Sequence, residues 1–140
     1  GRDTLNGGYG NDTLIGGALA DTLTGGAGDD SFQYLAATDL GQGHTDVITD
    51  FQHWDGVHGD RIDLSRIDPN AALAGNQSFF FSEGPSTVRG ALWLGDAVDG
   101  QQKVFMNTDG ADPFISGPIE LIVHFNDPAM TSLSASDFIF

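Results

Sequence analysis

The 140 residues carry 20 acidic side chains against five basic ones, a net charge of −15, and 18 of the acids are aspartate. With no basic footprint to neutralise phosphates, nucleic acid is excluded as a partner, and an anionic membrane surface is disfavoured for the same reason. The absence of cysteine rules out disulfides and thiolate metal sites, and no run of about 18 apolar residues exists for stable membrane insertion.

The chain opens on one nine-residue phrase in successive copies: GGYGNDTLI at 7–15, GGALADTLT at 16–24 and GGAGDDSFQ at 25–33, preceded by a partial copy with Gly1, Asp3 and Leu5 in register. The pattern is G-G-x-G-x-D-x-U-x, where U is a large apolar residue. A flexible Gly/Asp-rich linker would not keep three residue classes in step. The glycines permit a turn through positive φ, and the sixth-place aspartates Asp3, Asp12, Asp21 and Asp30 put a hard oxygen ligand at the end of each turn. Carbonyls of Gly8, Gly10, Gly17, Leu19, Gly26 and Gly28 can supply further oxygens, and Ca²⁺ takes six to eight of them. The last three residues of each copy form a short strand with Leu5, Leu14, Leu23 or Phe32 pointing inward. Two copies make one coil, so ions are expected between Asp3 and Asp21 on one side and between Asp12 and Asp30 on the other. Leu19 stands where the fourth-place glycine belongs, and strain is expected in that turn.

On these residues the chain resembles the RTX (repeats-in-toxin) exoproteins, whose nonapeptides form a Ca²⁺-binding parallel β-roll. Beginning in mid-repeat, it looks like the cut end of a longer roll.

Residues 36–45 read as a polar, glycine-punctuated loop. The back half of the repeat then returns in Asp46-Val47-Ile48-Thr49 and in Asp60-Arg61-Ile62-Asp63. Asp46 reads equally as a sixth-place aspartate opposite Asp21, with a third ion there, and as an ordinary strand start; Asp60 reads as a strand start. Residues 46–68, DVITDFQHWDGVHGDRIDLSRID, resemble the stretch that follows the repeats in serralysin-type metalloproteases, with Ile48, Phe51, Ile62, Leu64 and Ile67 expected beneath the roll. A short helix is expected over 68–74. Antiparallel strands follow at 78–82, 91–94, 103–107 and 118–125, separated by turns at 83–85, 99–100 and 109–110. The ending Leu133-Ser134-Ala135-Ser136-Asp137-Phe138-Ile139-Phe140 is similar to the uncleaved type I export signal of these families.

His44, His53, His58 and His124 lack zinc-site spacing and read as surface or loop residues. Gly84-Pro85-Ser86-Thr87-Val88 lacks the last glycine of a nucleophile elbow. Residues 107–112 have an EF-like look without the closing glutamate, so a hairpin turn is the better reading. Trp54 and Trp93 could stack on a sugar, but isolated aromatics are more often core or interface filler. No nucleophile, base and oxyanion hole assemble.

The expected fold is all-β: a short right-handed parallel β-roll at 1–35 continuing into an antiparallel β cap at 36–140. The resemblance implies a non-catalytic Ca²⁺-binding and secretion domain of a larger extracellular protease- or lipase-like protein, with the type I secretion apparatus as partner. The alternative is a Ca²⁺-dependent polysaccharide- or surface-binding module, like the R-modules of alginate epimerases or an adhesin's terminal domain.

Overall fold

A two- or three-residue strand with one inward apolar side chain cannot hold itself together, so each repeat must stack on the next. The computed structural model, which describes residues 1–40, 43–70, 73–108, 119–127 and 129–140, shows how it does so. Odd half-coils supply β1 (Thr4–Tyr9), β3 (Thr22–Ala27) and β5 (Asp46–Phe51), and even half-coils supply β2 (Thr13–Leu14), β4 (Ser31–Gln33) and β6 (Arg61–Asp63). Within each set the strands pair in parallel. The result is the expected β-roll of two facing parallel sheets.

Register places one apolar row on each sheet. Leu5 pairs with Leu23, Leu23 with Ile48, Leu14 with Phe32, and Phe32 with Ile62. All but Leu5, at the open end, are buried in one hydrophobic cluster. Phe51, Leu64 and Ile67 join it as the sequence implied.

Neither sheet stops at residue 35. The first continues through β10 (Ile119–Phe125), β9 (Gln101–Met106), β8 (Ala91–Leu94) and β7 (Phe80–Phe81). The β10–β9 and β9–β8 pairs are antiparallel, as expected of the cap. The two ends of that set are parallel instead, β10 to β5 and β7 to β8. Ile48 pairs with Val123, which carries the roll's apolar row into the cap. The second sheet gains β11 (Phe138–Ile139), where Phe138 pairs with Ile62.

Some local expectations change. Among the described residues of 68–74 no helix forms: Asp68 Oδ1 accepts the Asn70 N–H at 2.9 Å and the Leu73 N–H donates to Asn70 O at 3.0 Å. The aspartate side chain there offers the backbone a turn in place of a helical ladder. Asp99-Gly100 is a tight hairpin turn, with φ of 52° and 75°. The expected turn at 109–110, and most of the EF-like stretch, lie outside the described residues. Trp93 is core, stacked on its cross-strand partner Phe105 at 5.8 Å.

Candidate metal centre

Stacking the coils brings the sixth-place aspartates into two staircases, one along each edge of the roll. In every step one carboxylate oxygen is tied to the backbone of the aspartate one coil earlier. On one edge the Asp3 N–H donates to Asp21 Oδ1 at 2.7 Å and the Asp21 N–H to Asp46 Oδ1 at 2.8 Å. On the other, the Asp12 N–H donates to Asp30 Oδ1 and the Asp30 N–H to Asp60 Oδ1, both at 2.9 Å. The next residues reinforce the step: Thr22, Val47, Ser31 and Arg61 donate their N–H groups to the carbonyls of Asp3, Asp21, Asp12 and Asp30 at 2.8–2.9 Å.

The second oxygen is left over. Asp12, Asp21 and Asp30 each have a buried Oδ2 with no hydrogen-bond partner, and Asp46 Oδ2 is buried likewise, facing the Tyr34 hydroxyl. A buried carboxylate oxygen without a donor is costly, and in folded proteins such groups are paired or coordinate metals. Burial raises the Asp30 carboxyl above its ordinary value and pushes Asp46 and Asp60 up to about 6. Neighbouring aspartates add to each of these shifts. Tyr34, fully buried, lies close enough for the Asp46 charge to raise its phenol further, after burial itself.

Carbonyl oxygens of one turn lie against the glycines of the next. A methyl group at Gly26 would run into the Gly8 carbonyl, and one at Gly28 into the Gly10 carbonyl. Only glycine lets these turns approach so closely, and a methyl group at Gly7 would meet both the Gly25 carbonyl and Asp12 Oδ2. On the opposite edge Gly17 and Leu19 adopt the same left-handed backbone, with φ of 83° and 84°. For a leucine that is strained, as its place in the repeat implied. Asp3, at the open end, is more than half exposed.

Among the described residues no three carboxylates or imidazoles converge on one point. The donor set is two aspartates plus backbone carbonyls: hard, anionic and all oxygen. It fits Ca²⁺ and does not fit a metal that wants nitrogen or sulfur.

The Asp60 placement departs from its reading as an ordinary strand start, since it holds the same position relative to Asp30 as Asp46 does to Asp21. The D-x-U order was its signal, and the loop 52–59 replacing a glycine turn was what hid it. Sequence reasoning also missed three supports. Asp50 accepts the N–H groups of Gly25 and Gly26, both at 2.9 Å, and Asn11 Oδ1 accepts that of Asp29 at 3.0 Å. Asp29 accepts the Gly59 N–H at 2.8 Å and meets His58 Nδ1 at 3.1 Å. The Gly59 and His58 hydrogen bonds lower the Asp29 carboxyl, and the carboxylate raises the imidazole.

A family model described as "Peptidase M10 serralysin C terminal" matches residues 3–118. The chain belongs to that family. No curated protein sequence matches it. Among solved structures 27 chains match. One is the solution structure of the AlgE6R3 subunit from the Azotobacter vinelandii mannuronan C5-epimerase, 29% identical, with a TM-score of 0.61 over 99% of this chain and 68% of that one. The serralysin-type match and the R-subunit likeness both carry the β-roll reading.

Proposed function

We propose that this chain is a non-catalytic Ca²⁺-binding domain of a larger exported protein, folded by the ion it binds. The observation that carries the reading is the pair of aspartate staircases with their orphaned Oδ2 atoms. Asp3, Asp21 and Asp46 would hold ions along one edge and Asp12, Asp30 and Asp60 along the other, with carbonyls of Gly8, Gly10, Gly17, Leu19, Gly26 and Gly28 completing the shells. Calcium supplies the positive charge that these buried carboxylates lack. Whatever binds only the folded state stabilises it as RT ln(1 + [L]/Kd). In the family's setting this keeps the roll open and threadable where free calcium is scarce and closes it outside the cell, with the type I secretion apparatus as partner and Ser136–Phe140 as export signal. The roll at 1–35 and the cap at 36–140 then fold as one unit, because both sheets cross residue 35.

The test is circular dichroism of the metal-free protein during a calcium titration. A cooperative gain of β signal near millimolar Ca²⁺, reversed by chelator and not reproduced by equal Mg²⁺, is expected. Asp30→Ala should bind fewer ions than wild type and Asp99→Ala the same number. Full protection of residues 1–34 from protease in chelator would refute the switch.

A second reading, binding of a polysaccharide, has one observation in its favour besides the epimerase-subunit likeness. A half-open cleft of about 350 Å³ is lined by Gln52, His53, Asp55, Asp127, Ala129 and Met130. Its two carboxylates would repel an acidic glycan, so a neutral one is the better fit. Calorimetry with neutral and uronate oligosaccharides distinguishes the cases, and heat from neither removes this reading.

A further inference from the structure

The loop from Gln52 to Asp60 stands where a third glycine turn would lie on the Asp12–Asp30 edge. Its two ends are closed by reciprocal hydrogen bonds. The Gln52 N–H donates to Asp60 Oδ2 at 2.8 Å, and the Asp60 N–H donates to Gln52 O at 2.7 Å. The other carboxylate oxygen, Oδ1, accepts the Asp30 N–H. Where Gln52 sits therefore decides how the Asp60 carboxylate faces Asp30.

The residues next to Gln52 are held from outside the loop by Asp137, which has no exposed surface. Asp137 Oδ1 accepts from His53 Nδ1 at 2.7 Å and from the Trp54 N–H at 2.9 Å. Oδ2 accepts the Ser134 N–H at 2.7 Å and the Ser134 hydroxyl at 3.2 Å. Each Asp137 oxygen thus takes two donors, unlike the orphaned Oδ2 atoms of the staircases and unlike Asp60, whose oxygens take one apiece. The clasp is completed by Arg61, whose guanidinium lies 5.0 Å from the Trp54 ring centroid while Nη2 donates to Phe138 O at 2.9 Å.

We propose that Asp137 is a positioning residue for cation binding at Asp30 and Asp60, acting through His53, Trp54 and Gln52 across more than seventy residues of sequence. The proposal rests on the calcium reading above. A carboxylate with two donors on each oxygen is suited to orienting a ligand, as partners behind metal ligands do, whereas one donor per oxygen leaves Asp60 a lone pair on each for an ion. Loss of Asp137 frees the start of the loop, turns Asp60 away from Asp30, and leaves the other edge intact.

The experiment counts bound Ca²⁺ by equilibrium dialysis at saturating free ion, with folding followed by circular dichroism. Asp137→Ala is expected to fold and bind one ion fewer than wild type, matching Asp60→Ala. The double variant is expected to lose no more than Asp60→Ala alone. Asp137→Asn, which keeps an acceptor for His53 and Trp54, is expected to restore the count. A purely structural role would weaken all sites in parallel and leave the saturated count unchanged. That result, or an additional ion lost in the double variant, overturns the proposal. If Asp137→Ala does not fold, His53→Ala, which removes one of the two Oδ1 donors, is read instead. A several-fold weaker last-filling site with the others unchanged supports the proposal, and an unchanged isotherm overturns it. A wild-type chain that binds no Ca²⁺ refutes the calcium reading itself, a distinct outcome.

Discussion

At the scale of single residues, the staircase works because Asp21, Asp30 and Asp46 divide their two oxygens between two tasks. Oδ1 accepts an N–H from the coil before it, and Oδ2 is buried without a donor of that kind, whereas at Asp60 Oδ2 accepts the Gln52 N–H. Leu19 shows the tolerance of this design. Its side chain is partly exposed and its φ of 84° lies where a Cβ is penalised. A left-handed backbone costs a non-glycine residue about 1–2 kcal/mol, and introducing glycine gives back roughly 0.5–1 kcal/mol through the unfolded chain. Leu19→Gly is therefore expected to stabilise the calcium-loaded fold by about 0.5–1 kcal/mol, seen as a higher midpoint in urea at fixed Ca²⁺. A lower midpoint would mean that the leucine packs against something the strain argument omits.

At the scale of elements, the last strand matters more than its two residues suggest. Phe138 is buried against Ile62 in the second sheet and meets Phe81 edge-on at 5.4 Å, while Phe140 stacks on Phe138 at 5.9 Å. A tail read only as an export signal would contribute little to calcium affinity, and that expectation sits badly with this packing. Removing Phe138–Phe140 uncovers the apolar row of the second sheet and forfeits about 1.5–3 kcal/mol for the buried phenylalanine alone. By linkage, folding should then require several-fold more calcium. The check is the midpoint of the calcium titration in the truncated chain, and an unchanged midpoint would separate the tail from the roll. Secretion through a cognate exporter, measured on the same variant, tests the export role independently.

For the molecule as a whole, the governing quantity is the repulsion of 20 acids against five bases, concentrated where the coils stack. Protons can relieve it as well as calcium. Asp46 and Asp60 titrate near 6 in the fold against an ordinary value of 3.8. Between those values the folded chain holds protons that the unfolded chain has released. The contribution of Asp46 and Asp60 to calcium-free stability is therefore greatest below about 4 and falls as pH rises through 6. It is opposed by Asp29, Asp55 and Asp63, whose carboxyls the fold holds below the ordinary value. Metal-free protein at pH 5 should show more β signal than at pH 7.5, and protons should compete with calcium, so apparent affinity falls on acidification. Equal spectra at the two pH values, without calcium, would contradict the assigned burial of these carboxylates.

The repeat was legible in the sequence because its causes are local. Glycine tolerates the turn, aspartate caps it, and one apolar residue per half-coil faces inward, so register, two-edge geometry and the Leu19 strain all follow from a period of nine. The antiparallel β8–β9–β10 set was legible from alternation and turn chemistry for the same reason. What only the tertiary structure decided depends on contacts between segments far apart in the chain. Asp60 became the third step of its staircase because Gln52 and Asp30 meet it there; its D-x-U order hinted at the step, but without a glycine turn before it the order fits a strand start as well. The parallel joining of β10 to β5 and the closing of the second sheet by β11 are equally non-local. The lesson is clearest in Asp137: it stands directly before the inward Phe138, one residue off the D-x-U spacing of the repeats, and it is satisfied on both oxygens by His53, Trp54 and Ser134. Sequence determines which residues can ligate, but which oxygens remain free is decided by the donors that folding brings to them.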